Sequence, residues 1–150
     1  MTKVYIASDH AGVELKNILI LSLKAEYDLK DLGPFDSASV DYADYANLVC
    51  QKISSQIDAP TLGEFGILIC GSGQGMALRA NKFPHIRAAL VYSDETSSLS
   101  REHNNANVIC LGSRFCTAEQ AIKWIKIFKN TAFAGGRHQT MVAKVSAPIS

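Results

Sequence analysis

The stretch from Phe65 to Met76 constrains the fold more than any other part of the chain. It reads FGILICGSGQGM, an uninterrupted apolar run that ends in Cys70 and passes directly into a glycine-rich turn. A run without polar alternation is typical of a strand buried on both faces, as in a parallel sheet. The glycines free the backbone to point several N–H groups at one place, and good helix formers follow. The pattern predicts an anion-binding turn with a thiol at its edge.

The turn matches none of the familiar glycine-rich phosphate motifs. It is not followed by the Lys-Ser or Lys-Thr pair of a P-loop, and Met76 stands where a dinucleotide fingerprint has Gly or Ala. A cysteine phosphatase would need an arginine that closes the loop, and none precedes Arg79. Because amide donors and a helix N-terminus stabilise a thiolate, Cys70 is a candidate base. The alternative is a buried structural cysteine at the end of a strand.

Composition and charge narrow the classes of function. A length of 150 residues predicts one domain, residues 1–150, that buries its own core. The 15 Lys and Arg residues balance 14 Asp and Glu residues without basic runs, so we expect neither nucleic-acid nor membrane partners. The apolar stretches are too short to span a bilayer, and the first strand leaves no room for a signal peptide. Four cysteines without C-x-x-C spacing favour a reduced, cytoplasmic setting.

Apolar runs alternate with helical patterns along the chain. Strands are predicted at residues 4–8, 28–33, 65–70, 87–92 and 108–111, and the second is partly polar, which favours a sheet edge. Five helices are predicted, at about 13–27, from 41 onward, after Gly75, at 94–101 and at 117–129. The second carries a stripe of apolar residues that reaches Ile57, and the fourth is expected to be capped by Asp94. A short helix or tail begins near Gly135. This alternation predicts an α/β fold, a doubly wound (Rossmann-like) five-stranded parallel sheet with helices on both faces.

Polar side chains follow several of the predicted strands. Right-handed crossovers are expected to place them at one edge of the sheet, together with a histidine in the turn before the fifth strand. The set comprises Asp9, His10, Cys70, Gly71, Ser72, His103 and Arg114. Single members have simpler interpretations, since Asp9 fits a helix N-cap and His103 fits a solvated turn rich in asparagine. Tyr42, in the first turn of its helix, could pack its ring while its hydroxyl reaches a ligand.

These residue types suit proton transfer beside the carbonyl of a phosphorylated sugar. The set lacks a Walker lysine, a zinc quartet and a paired carboxylate site, so no metal site is predicted. Arginine and histidine would hold a phosphate dianion, and amides with asparagine would stabilise an enediolate. A thiolate would move the carbon-bound proton, while a histidine and an aspartate would open the sugar ring.

A set of short motifs runs along essentially the whole chain: SDHAG at 8–12, DY at 41–42, CGSGQGM at 70–76, NKFP at 81–84, HN at 103–104, NV at 107–108, GSR at 112–114 and GGRH at 135–138. In these motifs, their order and their spacing, the chain resembles the type B ribose-5-phosphate isomerases and their sister group, the galactose-6-phosphate isomerase subunits. The resemblance implies the doubly wound fold, no metal or organic cofactor, and a sugar-phosphate substrate. It further implies a homodimer, or a dimer of dimers, with each site completed by the neighbouring subunit.

The resemblance assigns a role to each matching position. Cys70 corresponds to the base that moves the proton between C2 and C1, and His103 to the acid or base that opens the ring. Asp9 and Tyr42 would contact sugar hydroxyls, and Ser72 keeps the hydroxyl of the more common threonine. The enediolate would be held by Gly71, Gly73, Gly75 and Asn104, and the phosphate by His10, Arg114, Arg137 and His138. Met141 departs from the family, which often has a second arginine there, and Lys144 could compensate.

The expected reaction interconverts ribose 5-phosphate and ribulose 5-phosphate through an enediolate, with Cys70 as base. A six-carbon sugar-phosphate isomerase, of the galactose 6-phosphate or allose 6-phosphate type, is the enzymatic alternative. A non-catalytic sugar-phosphate-binding module is the alternative from a different class. The presence of both Cys70 and His103 argues against the latter, because a degenerate binder is expected to lose one of them.

Overall fold

The computed structural model describes residues 1–54 and 61–149. It contains a sheet of five parallel strands in the order β2-β1-β3-β5-β4. The elements are β1 (Thr2–Ser8), a 3₁₀ turn (His10–Gly12), α1 (Val13–Leu23), β2 (Tyr27–Asp31), α2 (Tyr42–Lys52), β3 (Phe65–Cys70), α3 (Gln74–Ala80), β4 (Ala88–Leu90), α4 (Asp94–Glu102), β5 (Val108–Gly112), α5 (Ala118–Asn130) and α6 (Arg137–Ser146). The predicted parallel sheet, its polar edge strand β2 and its central strand β3 are confirmed.

Strand β3 lies between β1 and β5, and every one of its residues is buried. One apolar cluster covers one face of the sheet beneath α1 and α5, and it includes Leu19, Ile67 and Phe128. Another group of apolar side chains covers the other face beneath α2 and α3, and it includes Val49 and Met76. Because both faces are covered, the central strand carries no polar alternation, as the sequence pattern predicted.

Helix α1 is shorter than predicted. It ends at Leu23 rather than near Tyr27, because the chain turns there and Tyr27 begins β2. The Tyr27 ring packs edge-on against Phe65, with the ring centroids 6.0 Å apart. Helix α2 ends at Lys52, and the predicted stripe residue Ile57 lies outside the described residues.

The predicted cap of α4 is wrong by one residue. Ser93 caps the helix, because its hydroxyl accepts the N–H of Thr96 at 3.0 Å while the Thr96 hydroxyl accepts the N–H of Ser93. Asp94 instead accepts a hydrogen bond from Trp124 Nε1 at 3.0 Å and pairs with Lys123 at 2.7 Å. Serine and aspartate are both good caps, so the choice between adjacent residues depended on the contacts of α5.

Candidate active site

The loops that follow β1, β3 and β5 meet at the carboxyl edge of the sheet. The N–H of Asp9 donates to the carbonyl of Ile69 at 3.0 Å. The N–H of Ser113 donates to the carbonyl of Cys70 at 2.9 Å, and that of Arg114 to Gly71 at 3.1 Å. These backbone bonds bring together the first, third and fifth strand ends, so the predicted convergence of Asp9, Cys70 and Arg114 is confirmed.

The thiol of Cys70 lies inside the glycine-rich turn. Its Sγ accepts the N–H of Gly73 at 3.1 Å, so the backbone offers a donor to negative charge on the sulfur. Gly73 has φ of 78°, a left-handed conformation that favours glycine, and a Cβ there would lie 2.9 Å from the carbonyl carbon of Leu111. The Ser72 hydroxyl accepts the N–H of Gln74 at 3.3 Å, which completes the turn.

The other three thiols lie in different surroundings. Burial raises the pKa of Cys50 to about 12. It also raises the pKa of Cys110 and of Cys116 above the ordinary value. These three thiols therefore remain protonated at neutral pH, and none carries a predicted role.

Two side chains press against glycines of the turn and define its walls. A Cβ at Gly75 would lie 2.6 Å from Cζ of Tyr42, so the tyrosine ring rests directly on that glycine. A Cβ at Gly71 would lie 3.2 Å from Cζ of Arg114, so the guanidinium lies across the start of the turn. Glycine is therefore needed at these positions because a Cβ would prevent Tyr42 and Arg114 from lying so close to the backbone of the turn. The phenol and the guanidinium flank the thiol's loop.

Asp9 and His10 begin the 3₁₀ turn after β1. Asp9 Oδ1 accepts the N–H of Ala11 at 2.9 Å, so its interpretation as an N-cap is confirmed. His10 Nδ1 accepts the N–H of Val40 at 3.3 Å. With Nδ1 accepting, the neutral imidazole carries its proton on Nε2, which is then a donor for a ligand.

A buried ion pair that sequence reasoning missed supports this side of the site. Nζ of Lys16, whose side chain is fully buried, lies 2.8 and 2.9 Å from the two carboxylate oxygens of Asp31. Asp31 Oδ1 also accepts the N–H of Gly33 at 2.9 Å, and the Gly33 carbonyl accepts the N–H of Ser8. The pair anchors the loop that leads to Val40. The sequence pattern assigned Lys16 to the polar side of the predicted first helix, because a lysine is rarely fully buried unless it is paired.

The predicted location of His103 at the same edge is wrong. Helix α4 begins after the carboxyl end of β4 and returns across the sheet to the amino end of β5, so His103 lies beside the start of β5. Cys70 pairs in register with Gly112, the last residue of β5. A loop that precedes a parallel strand lies at the opposite edge from a loop that follows it. Strand β5 therefore separates the two groups by about 13 Å or more.

His103 belongs to a second cluster with the start of α6. The rings of His103 and His138 are stacked, with centroids 4.3 Å apart and planes inclined by 12°. The N–H of Ala134 donates to the Glu102 carbonyl at 3.0 Å, which holds the segment before α6 on the end of α4. Burial, the neighbouring His103 and the Arg137 charge all lower the pKa of His138. We call His103, Asn104, Arg137 and His138 the second cluster.

Two buried arginines hold the turn that carries His103. Arg101 is fully buried, and its guanidinium donates to Asn105 Oδ1 at 2.9 Å and to the Thr131 carbonyl at 3.1 Å. Arg87 donates through Nε to the Asn105 carbonyl at 2.8 Å. Asn105 has φ of 47°, a left-handed conformation that asparagine tolerates. Burial, and secondarily the charge of Arg87, lowers the pKa of Arg101 to about 10. Sequence reasoning missed both arginines.

The fold and the motifs together match one family of known proteins. The family model described as Ribose/Galactose Isomerase matches residues 4–145. The chain belongs to this family. A curated relative, the probable ribose-5-phosphate isomerase B of Mycoplasma genitalium, is 44% identical over 144 residues, which span 95% of this chain and 92% of that protein. The resemblance inferred from the motifs is thereby confirmed.

Solved structures of the ribose/galactose isomerase family share the whole fold. The ribose 5-phosphate isomerase of Thermotoga maritima is 40% identical and superposes with a TM-score of 0.89 over 97% of each chain. The Mycoplasma genitalium enzyme with bound ribulose-5-phosphate is 43% identical, with a TM-score of 0.86 over 96% of this chain and 93% of that one. The doubly wound sheet of this chain is therefore that of the family.

The described ranges, 1–54 and 61–149, contain no group of three or more His, Cys, Asp and Glu side chains arranged to hold a metal ion. Within the same ranges, no helix is both long and apolar enough to cross a bilayer.

Proposed function

We propose that this chain interconverts ribose 5-phosphate and ribulose 5-phosphate. The observation that carries the proposal is the thiol of Cys70, which sits in a turn of backbone donors beside the Arg114 guanidinium. A family member that is 43% identical along nearly the whole chain holds ribulose-5-phosphate. A base, an anion-binding turn and a cation for phosphate are the parts that an aldose–ketose isomerisation requires.

Cys70 serves as the base in this reaction. Its thiolate takes the proton from C2 of the open-chain aldose and returns it to C1, while a proton moves from the O2 to the O1 side of the enediolate. In the turn from Gly71 to Gly75, the N–H of Gly73 is bonded to the sulfur of Cys70 and that of Gln74 to the Ser72 hydroxyl. The other N–H groups of the turn offer donors for the charge that develops on the enediolate oxygens. The Ser72 hydroxyl lies in the same turn, Tyr42 lies against Gly75, and the backbone of Asp9 is bonded to Ile69, next to Cys70. In this proposal Asp9 and Tyr42 contact sugar hydroxyls.

The phosphate is bound by charge-assisted donors from the carboxyl edge of the sheet and from the second cluster. At the carboxyl edge, Arg114 offers a planar guanidinium and His10 offers its Nε2 proton. In the second cluster, Arg137 and His138 stand in the first turn of α6, next to the proposed ring-opening residue His103. Asn104 accompanies His103 and adds a neutral donor for the enediolate.

We infer that the active protein is a homodimer with shared sites. The second cluster lies about 13 Å or more from Cys70 within one chain, which is longer than a pentose phosphate. A two-fold axis would present the second cluster of each chain to the carboxyl edge of its partner and create two identical sites. Exposed apolar side chains are available for such an interface, since Leu78 is 73% and Tyr92 63% exposed.

A reducing cytoplasm is the compartment that this chemistry favours. All four cysteines are free, and the proposed base is one of them. An oxidising compartment would put a reactive thiol at risk of disulfide formation or oxidation. We therefore propose that the enzyme acts in the cytoplasm.

The direct test is an isomerase assay of the purified chain alone. Ribose 5-phosphate is compared with galactose 6-phosphate and allose 6-phosphate, and Cys70→Ala is compared with Cys116→Ala as a matched thiol control. We expect turnover of ribose 5-phosphate that only Cys70→Ala abolishes. Faster turnover of a hexose phosphate would assign the chain to the six-carbon type. Tight binding of sugar phosphates without turnover would make it a binding module.

A further inference from the structure

The stacked pair of His103 and His138 joins two tasks that the proposed function keeps separate. His103 ends α4 and is the proposed ring opener, whereas His138 lies in the first turn of α6 and is a proposed phosphate ligand. Their ring centroids are 4.3 Å apart and their planes differ by 12°. At this distance a positive charge on one ring faces the other ring directly, and two imidazolium rings repel each other.

Charged groups approach the pair from α4, from α6 and from the residue before β4. The last turn of α4 contributes Arg101 and Glu102 beside His103, and α6 contributes Arg137 and, further along, Lys144 beside His138. Arg101 and Arg87 are both bonded to Asn105, two residues after His103. The segment between α5 and α6, residues 131–136, contains no titratable side chain. Burial, His103 and Arg137 all favour the neutral form of His138 and lower its pKa. At neutral pH without a ligand, His138 is therefore predominantly uncharged.

We propose that His103 and His138 act as one unit that takes up a single proton when a dianion binds beside Arg137, and that His138 holds this proton. The inference rests on the proposed function, which places the sugar phosphate at this pair. The dianion reverses the local field, because it compensates Arg137 and accepts a hydrogen bond from a protonated His138. The charge then present on His138 resists protonation of the ring stacked on it.

The consequence is that His103 enters ring opening as a base. With His138 charged, the neutral His103 accepts the proton of the C1 hydroxyl while the C1–O4 bond breaks. The bonding electron pair goes to O4, which takes a proton from water, and His103 later returns its proton to solvent. The phosphate thus sets the protonation state of the residue that opens the ring. Substrate binding and ring opening are coupled through the stack.

Proton uptake on binding of sulfate tests this proposal without turnover. Sulfate is the probe because it is a dianion that does not itself titrate near neutral pH. Calorimetry in two buffers of different ionisation heat gives the number of protons taken up. We expect about half a proton or more per site at pH 7, as for a histidine that changes its charge on binding.

His138→Gln keeps an N–H donor for sulfate, and we expect binding with no proton uptake. His85→Asn, whose ring contacts the Cys50 carbonyl and Phe83 rather than either stacked ring, is expected to behave as wild type.

The stack itself is tested by the histidine NMR titration of the free protein. Because His103 lowers the pKa of His138, His103→Asn is expected to raise it. An unchanged His138 titration in His103→Asn, or sulfate binding by the wild type without proton uptake, would overturn the proposal. A protein that takes up the proton but does not isomerise ribose 5-phosphate would refute the proposed function and leave the linkage intact. An enzyme that isomerises ribose 5-phosphate but takes up no proton on sulfate binding would support the proposed function and refute the linkage.

Discussion

The N–H of Gly73 is directed at the sulfur of Cys70 over 3.1 Å. If this thiol is the base, Cys70→Ala should fold normally and lose ~10²–10⁴-fold in kcat, the usual contribution of positioned acid–base catalysis. KM should change little, because the thiol does not anchor the phosphate. Steady-state kinetics with a thermal unfolding curve check both statements. Iodoacetamide should inactivate the wild type more slowly when substrate is present. Near-normal kcat in Cys70→Ala would show that Cys70 is not the base and would favour a carboxylate in that role.

Gly73 is required for two separable reasons, and a matched glycine distinguishes them. Gly73 and Gly135 both have positive φ, 78° and 67°, so alanine is strained at either site. A Cβ at Gly73 would also meet Leu90 at 2.7 Å and the Leu111 backbone, whereas at Gly135 it would meet nothing within 4 Å. We expect Gly135→Ala to lower the free energy of unfolding by about 1 kcal/mol and Gly73→Ala by about 2–4 kcal/mol. Equal losses of unfolding free energy in the two variants, measured by denaturant titration, would show that the contacts of a Cβ at Gly73 with Leu90 and Leu111 cost nothing beyond the backbone strain.

Loss of the buried Lys16–Asp31 pair should destabilise the protein. Lys16→Met leaves the Asp31 carboxylate partly buried without its cation, and we expect a loss of about 3 kcal/mol in the free energy of unfolding. Lys24→Met removes an exposed lysine at the end of the same helix and should change little. The double variant Lys16→Met with Asp31→Leu should recover part of the loss. A Lys16→Met protein as stable as Lys24→Met would show that the pair contributes nothing.

Shared sites predict complementation between two variants that are each nearly inactive at low substrate concentration. Cys70→Ala damages the carboxyl-edge half of a site, and Arg137→Ala damages the second cluster. A mixed dimer holds one doubly damaged site and one intact site, and random exchange makes half the dimers mixed, so activity should return to about a quarter of wild type. The measurement is the isomerase assay after subunit exchange, which a mass-tagged chain verifies. Mixing Cys70→Ala with Ser72→Ala, from the same edge, is the control that should fail. Verified exchange with no recovery would place both halves in one chain.

The phosphate clamp is tested at Arg137, Met141 and Lys144. Arg137→Ala should raise KM strongly, because a bidentate guanidinium is the strongest donor for a phosphate dianion. Met141 is 55% exposed one turn along α6, so Met141→Arg should lower KM by up to ~10-fold if one charged hydrogen bond is gained. Lys144 lines a groove with Asn104, and neither Arg137 nor His138 lines that groove, so Lys144→Ala tests whether the lysine reaches the phosphate at all. An unchanged KM in Lys144→Ala would exclude that role.

Most of the carboxyl-edge half of the site could be predicted from local pattern. The apolar run before Cys70, the glycines after it and the polar pair after the first strand each carry their own signal, and parallel strands bring their carboxyl ends together. The capping residue Ser93 could not be distinguished from Asp94, because the two have similar cap preferences. Arg87 and Arg101 gave no signal either, since a buried arginine bonded to backbone carbonyls looks in sequence like a solvated one.

The sequence by itself determined the parallel sheet, its central strand and the thiol-bearing turn, because each depends on hydrophobic pattern and backbone freedom within a few consecutive residues. The predicted order of strand, helix and strand was already sufficient to put His103 at the opposite edge from Cys70, because a loop that precedes a parallel strand lies at the amino end of that strand. Only the tertiary structure decided that His103 stacks on His138. That contact depends on where α6 returns, which is not written in local pattern, because contacts between distant segments are selected by the packing of whole elements against one another.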